Sequence, residues 1–358
     1  MIPSLFSRYL LRLFGLYLVG VLATLASVVT LFALIAEAER VLAGATAVWP
    51  ALLAYAALRL PGVVSLLVPL AALVAALAAL ARLAAGSELV AIRAAGVSSF
   101  RIAATLLVGA AVLAAAHFWF ANTVVPDSAA RLRLWEAQDY AGRPPAAAPR
   151  DAPRWFAVGD TIVHVEASST DGTRLDRPTL IERDGAGRLS RYLTARVARY
   201  QDGRWVFADV RRPLAKDGPA EVDRLVPDLA LNPDRFSALR GEPEEIRFGQ
   251  LLELADAGEL SRRSPGYYGF WLQRKLAQPA ASLVMVLIAV PVSLLAGRRS
   301  RVLAGALAAL GAGFLYFIAE RLLIPLGENG LLPVAIAAWT PAAAYALLTL
   351  WLLLMKDT

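Results

Sequence analysis

Hydrophobicity along this 358-residue chain comes in long blocks rather than short periods. Six apolar stretches, roughly 9–34, 58–81, 101–123, 270–296, 302–324 and 333–355, are each long enough to cross a bilayer, which takes about 20 mainly apolar residues in a helix. Polar, Pro or Gly breaks such as Pro50 and Gly327-Glu328-Asn329-Gly330 separate most of them. Between the third and fourth lies one long charged stretch. The pattern predicts an α+β membrane protein with six transmembrane helices and a polar domain between helices 3 and 4. Its segments are 1–126, 127–268 and 269–358.

The middle stretch reads as β. "RWFAVGDTIVHVE" (154–166) alternates in part around a Gly-Asp turn, and 178–212 gives three more strands split by Asp184-Gly185 and Asp202-Gly203. Asp-Gly between β-rich runs is a strong hairpin signal. Short strands at close spacing suggest an open sandwich or jelly roll. Residues 127–140 and 244–263, the latter with Leu251, Leu252, Leu254 and Leu260, read as stalks leading from and back to the membrane.

Composition agrees. Hydrophobic residues make up 58% of the chain and the mean hydropathy is +0.55, against roughly 45–50% apolar content in soluble domains. The net charge of +7 resides in the flanks of the apolar blocks, because the charges of the middle stretch nearly cancel. The base is therefore not a face for nucleic acid. Arg8, Arg12, Arg82, Arg93, Arg101, Arg298, Arg299, Arg301 and Lys356 mark one side of the membrane, and Glu37, Glu39, Arg40 and Glu328 the other. The positive-inside rule predicts cytoplasmic termini and an exported middle domain. Arg274 and Lys275 lie on the exported side and run against the rule. Ala36-Glu37-Ala38 has the spacing of a signal cleavage site, but the apolar run before it exceeds the 7–15 residues of a signal core, so the first span is expected to stay.

Much chemistry is absent from the sequence. There are no cysteines, and His117 and His164 are not spaced as ligands, so no metal site is expected. His117, near Trp119 in the third span, reads as a packing residue. The only lysines, Lys216, Lys275 and Lys356, follow no phosphate-binding loop, so the chain is not itself a P-loop ATPase. Neither Gly-x-Ser-x-Gly nor His-Glu-x-x-His occurs. The chain is not expected to be an enzyme or to carry a cofactor of its own. Energy for any uphill step would come from a partner that binds ATP.

Against that background, "SELVAIRAAGVSSF" (87–100) is unusual: a short helix between two apolar spans. Gly86 could end the second span, Ser87 could cap a new helix, Gly96 would stop it, and Ser98 or Ser99 would cap the third span. Two turns span roughly 12 Å at 1.5 Å per residue. Glu88, Ala91, Ile92 and Ala95 share one face, small and apolar with an acid at its edge. A simple turn needs no such face. The better reading is a coupling helix, 87–96, that docks on a cytoplasmic motor through Glu88, Leu89, Ala91, Ile92, Arg93, Ala95 and Gly96, with Glu88 pairing to a motor cation.

"SELVAIRAAGVS", the second-span "LVPLAALVAALAAL", the exported "RWFAVGDTIVHVE" and the fourth-span "FWLQRKLAQPAASL" resemble the lipopolysaccharide-export permeases of the LptF/LptG type, over essentially the whole chain and closer to the G subunit. The resemblance implies a multi-pass bacterial inner-membrane subunit. It would work beside a paralogous permease subunit and a cytoplasmic ABC ATPase dimer, extracting lipopolysaccharide and passing it through periplasmic jelly-roll domains to bridge proteins of like fold. It also implies a cavity face at Leu67 and Pro69 on the second span and Phe314 and Phe317 on the fifth, with Arg133 near substrate phosphates.

Arg40, Arg131 and Arg321 lie near the same outer interface, where snorkelling to headgroups is the ordinary role of a cation. Gly311 and Gly313 would permit close helix approach, and Glu320 would pair with Arg321 or serve a gate. The G-type basic cluster at the end of the first span is replaced here by "IAEAERVL", which puts phosphate binding there in doubt. Two rival readings are a membrane scaffold whose exported domain binds a partner without transport, and a secondary transporter. The second lacks evident inverted repeats and acid pairs.

Overall fold

The computed structural model describes residues 5–45, 47–145, 154–158, 161–165, 167–168, 173–183, 189–201, 203–211, 221–227, 246–256, 266–295 and 299–357. They divide into two compact units, one of Met1–Pro144 with Phe270–Thr358 and one of Pro145–Gly269.

The first unit is helical. Its elements are α1 (Leu5–Ala43), α2 (Val48–Ala85), the short α3 (Glu88–Ala94) and α4 (Ser99–Ala137), followed after the second unit by α6 (Gly266–Leu295), α7 (Arg299–Glu328) and α8 (Val334–Asp357). Among the described residues six helices are long and apolar enough to cross a membrane, as the block pattern predicts. They outrun their apolar blocks, however. α1 and α4 each have 39 residues, about 58 Å at 1.5 Å per residue, roughly twice a hydrocarbon core. A hydrophobic run ends where charge begins, but a helix continues while one face stays apolar. In α4 that face carries Leu132 and Trp135, both buried, so the predicted stalk at 127 is simply more of the same helix.

α2 and α6 are the inner helices: 67% of the apolar window of each is buried, against 11% in α1. The sequence makes α2 suited to this place. Ala71, Ala72, Ala75, Ala76 and Ala79 are wholly buried beside Leu73, Leu80 and Leu83, and small side chains let backbones approach where lipid gives no hydrophobic drive between helices. They meet Leu10 and Phe14 of α1, Ile102 and Leu106 of α4, and Met285, Val286 and Ala289 of α6 in one core. Pro61 and Pro69 lie inside α2 without ending it, as neighbouring helices permit in a membrane bundle. α4 crosses α1 at Gly109, where a Cβ would stand 2.7 Å from Leu11 Cδ2.

Ser65 of α2 and His117 of α4 share a buried hydrogen bond of 2.9 Å between Oγ and Nε2, which gives His117 the packing role expected of it. Interhelical bonds of this kind contribute about 1 kcal/mol in membranes. His117→Ala is therefore expected to lower the thermal unfolding midpoint by a few degrees without changing the protein's partners. A thermal melt in detergent beside a pull-down checks this.

The second unit is an antiparallel sheet of eight strands, β1 (Arg154–Val158), β2 (Thr161–Val165), β3 (Ala167–Ser168), β4 (Arg174–Asp176), β5 (Thr179–Arg183), β6 (Leu189–Gln201), β7 (Arg204–Arg211) and β8 (Glu221–Leu225), with α5 (Phe248–Asp256) after it. The strands form one connected network, β1-β2-β5-β6-β4-β3, with β7 on β6 and β8 on β7. β6 is its spine: β5 pairs with residues 189–194, β4 with 197–199, and β7 along the opposite edge. Where the partner changes, the burial phase of β6 slips by one residue, so Val197 and Ala198 are both buried. Asp209 across from it takes φ 52°, and Arg177, whose N–H bonds the Arg196 carbonyl at 3.0 Å, takes φ 47°.

Val163, Leu180, Leu193, Trp205 and Phe207 fill the sheet's core. β1, β2, β5, β6 and β7 occupy the predicted β runs, and Gly203 supplies the left-handed turn residue at φ 79°. The turn at Asp184-Gly185 lies outside the described residues. β3, β4 and β8 are short, "AS", "RLD" and "EVDRL", the last two charged, and all are too brief to show alternation. In the predicted stalk 244–263 the described helix is α5, with Leu251 buried and Leu252 exposed; Leu260 lies outside the described residues.

Candidate functional site

The stretch 87–96 forms a helix of seven residues, Glu88–Ala94, joining α2 to α4 at the end of these helices opposite the point where the chain departs for the sheet. Its start differs from the capping predicted for it. Gly86 keeps a right-handed φ of −81° while its N–H bonds the Arg82 carbonyl at 3.2 Å. Ser87, not the glycine, takes the left-handed φ of 59°. That is not the extended backbone of a capping serine. Ser87 acts through its main chain instead, its carbonyl accepting from the Ala91 N–H at 3.1 Å.

The stop is as predicted. Gly96 has φ 84° and the Val97 N–H reaches back to the Ile92 carbonyl at 3.3 Å, the six-to-one bond of a Schellman turn. Ser98 then caps α4, its Oγ accepting from the Arg101 N–H at 3.3 Å. Ala91, Ala95 and Gly96 are exposed, while Glu88 and Ile92 are half-buried; Leu89 and Arg93 lie within the helix. The Glu88 carboxylate folds back over Gly86, where a Cβ would stand 3.1 Å from Oε1. The Tyr9 hydroxyl of α1 lies near it, as does Arg82. Tyr9 carries no signal in the sequence, because nothing in spacing links residue 9 to residue 88.

The cavity candidates on α2 and α7 are neighbours. Gly313 packs against α2, where a Cβ would stand 2.7 Å from Leu73 Cδ2 and 3.6 Å from Leu70 Cδ1. Leu67, half-buried, lies one turn before Leu70, and Pro69 is buried in the same stretch. Phe317 packs partly against the helical core, Phe314 is 66% exposed and Arg321 is exposed. At 100° per residue Phe314 and Arg321 lie almost one above the other on α7. Gly311 has open space around it, unlike Gly313. Arg133 is exposed on α4, and Arg131 sits 3.9 Å from Asp127 on its own helix.

The end of α1 is closed by a cluster that engages Arg40. Its Nη1 lies 3.1 Å from Glu37 and 3.6 Å from Glu136, and the guanidinium stands 5.7 Å from the centre of the Tyr140 ring. Tyr140 is buried edge-on against Trp135 at 5.2 Å and Tyr55 at 6.1 Å. Burial first, then the Glu136 and Glu37 carboxylates, pushes its phenol up to about 12, so it stays a neutral packing group. The turn carrying it is pressed onto the α1–α2 connection: a Cβ on Gly44 would overlap the Asp139 carbonyl oxygen, and the Gly142 N–H bonds the Gly44 carbonyl at 3.3 Å. Arg40 is thus held by its own chain, which agrees with the doubt raised over phosphate binding there.

Glu320 reaches Arg274 of α6 at 2.9 Å rather than its neighbour Arg321. Arg274 also stacks on Trp271, 4.9 Å from the ring centre. Its charge is matched within the bundle. Among the described residues no group of three or more His, Asp or Glu could hold a metal ion.

Residues 8–355 match the family described as Lipopolysaccharide export system permease LptF/LptG. The chain is 25% identical over 312 residues to the lipopolysaccharide export system permease protein LptG of Escherichia coli (strain K12), covering 85% of each. It is 26% identical over 359 residues to the protein of that name from Haemophilus influenzae, covering 96% of this chain and 98% of that one.

Proposed function

From the premise that this chain belongs to the LptF/LptG family of lipopolysaccharide export permeases, we propose that it is the G-type membrane subunit of an ATP-driven exporter in the bacterial inner membrane. Both termini and α3 face the cytoplasm, and the sheet domain faces the periplasm. A dimer of a separate ABC ATPase supplies the energy and docks on Glu88, Leu89, Ala91, Ile92, Arg93, Ala95 and Gly96. A paralogous permease subunit completes the membrane part. Lipopolysaccharide enters along Leu67, Pro69, Phe314 and Phe317, with Arg133 and Arg321 meeting its phosphates. It leaves by way of jelly-roll bridge proteins, which add to the β1 or β8 edge of the sheet by main-chain pairing.

The observation that carries this reading is α3, a separate short helix with exposed small residues between the long helices α2 and α4, in a chain whose sequence has no nucleotide-binding loop. Such a surface suits a motor that the chain itself lacks. The test is purification of the full chain from its native membrane in mild detergent, with identification of what accompanies it. An ABC ATPase, a second permease and lipopolysaccharide are expected together. Recovery of the chain with no ATPase under conditions that keep lipid bound would overturn the reading.

A further inference from the structure

Three polar bridges leave little more than one turn of α6 for two different helices. The Trp271 indole N–H donates to Glu328 Oε1 at 2.9 Å and Arg274 Nη2 to Glu320 Oε1 at 2.9 Å, both on α7. The Trp339 indole N–H of α8 donates to Gln273 Oε1 at 2.9 Å. Phe270 packs on Gly327, where a Cβ would stand 2.6 Å from its Cε2. Of these bridges the Arg274–Glu320 pair is the most demanding. Its side chains are only 9% and 18% exposed, and it lies within apolar spans, where ionisable groups are costly and are kept for a role. Separating a buried pair leaves a lone charge in a poor solvent, so the pair resists any rotation of α7 that would break it.

The rotation is what matters for α7. At 100° per residue, Glu320 and Gly313 share a face, the first turned to Arg274 and the second to Leu73 of α2. Phe314 and Arg321 then fall on an adjacent face, where both are exposed. A rotation that releases Glu320 also carries Gly313 off α2 and turns Phe314 toward a different neighbour. We propose that Glu320, held by Arg274, is a positioning residue that sets the rotation of α7 and so presents Phe314 and Arg321 to the lipid. This rests on the reading of Phe314 and Arg321 as cavity residues.

The experiment uses the complete transporter in proteoliposomes. Because the chain has no cysteine, a Leu73→Cys, Gly313→Cys pair reports the α2–α7 approach by disulfide yield. Separately, a photoreactive phenylalanine at position 314 reports capture of lipopolysaccharide. Glu320→Gln is expected to lower both signals severalfold with recovery of the ATPase-bound complex unchanged, and the exchange Arg274→Glu with Glu320→Arg to restore both. If Glu320→Gln fails to assemble, the neutral pair Arg274→Gln, Glu320→Gln, which leaves no orphan charge, is expected to assemble and show the same losses. Unchanged disulfide yield in the neutral variants, or no restoration by the exchange, overturns the positioning role. Disulfide yield that responds while position 314 never captures lipid in the otherwise unaltered protein overturns the cavity reading and leaves the rotation assigned to the pair.

Discussion

Glu88→Lys is expected to abolish ATP-driven lipid release while leaving lipid bound in the membrane part. Glu88 borders the exposed Ala91 and Ala95 surface of α3, and a hydrogen bond to a charged partner contributes roughly 1.5–3 kcal/mol. Reversing the sign removes that attraction and adds repulsion against the same motor cation, so Lys is expected to be worst, Ala intermediate and Asp mildest. The Tyr9 hydroxyl near Glu88 supplies the control. Tyr9→Phe removes that polar neighbour within the chain but keeps the carboxylate. If Glu88 works through the motor, Tyr9→Phe retains most of the coupling that Glu88→Ala loses. Recovery of the ATPase complex, ATP turnover and lipid release in proteoliposomes, measured side by side, distinguish weak docking from faulty transmission. A Glu88→Lys protein that assembles and releases lipid normally would reduce α3 to a plain connection.

Gly44→Ala is expected to be among the most destabilising single substitutions in the helical unit. The added Cβ meets backbone rather than a flexible side chain, overlapping the Asp139 carbonyl oxygen and standing 2.7 Å from that of Tyr140. To make room the turn must lift, which withdraws Tyr140 from Trp135 and Tyr55 and breaks the Gly142–Gly44 bond. Losing the burial of one large aromatic costs about 1.5–3 kcal/mol and the bond about 1 kcal/mol, before any strain at Asp139 and Tyr140, both already left-handed at φ 50° and 57°. Gly15→Ala and Gly20→Ala make internal references, because a Cβ at either site meets nothing within 4 Å. Thermal unfolding in detergent and the amount of protein in the membrane are the measurements. A Gly44→Ala protein as stable as Gly15→Ala would show that the turn is not held as described.

The spans were legible because twenty apolar residues in a row admit few other fates, and β5 to β7 because their boundaries carry Asp-Gly. The length of α4 beyond the apolar block was not, since Leu132 and Trp135 mark a face only when the helix is already assumed. The coupling-helix stop and the Ser98 cap could be read locally; the roles of Gly86 and Ser87 could not, because the left-handed turn falls on Ser87 rather than on the adjacent glycine, the residue for which that conformation is ordinary. Among the site residues, Glu320 shows what was missed. Pairing it with adjacent Arg321 follows sequence proximity, yet neighbours in a helix point about 100° apart. Arg274 and Glu320 each lie 21 residues from the facing ends of α6 and α7, the register of two antiparallel helices joined by a short connection. That symmetry shows only once the helix ends are known, which the apolar blocks 270–296 and 302–324 do not give. Gly44 gave no such signal, because its close neighbour comes from a turn nearly a hundred residues later.

The place of β6 in the sheet has a consequence for how the domain is made. During synthesis, β1, β2 and β5 can assemble as a meander and β3 with β4 as a hairpin, since each pairs with strands already present. Among the described residues no strand pairing joins these two pieces until residues 189–201 exist, because the long strand holds β5 along one half and β4 along the other. Until then the nascent chain carries open strand edges, the kind that invite mispairing with other chains. The two pieces join in one step when β6 arrives, and β7 and β8 then cover its far edge, so a helper protein that shields unpaired edges would be needed until those strands have paired.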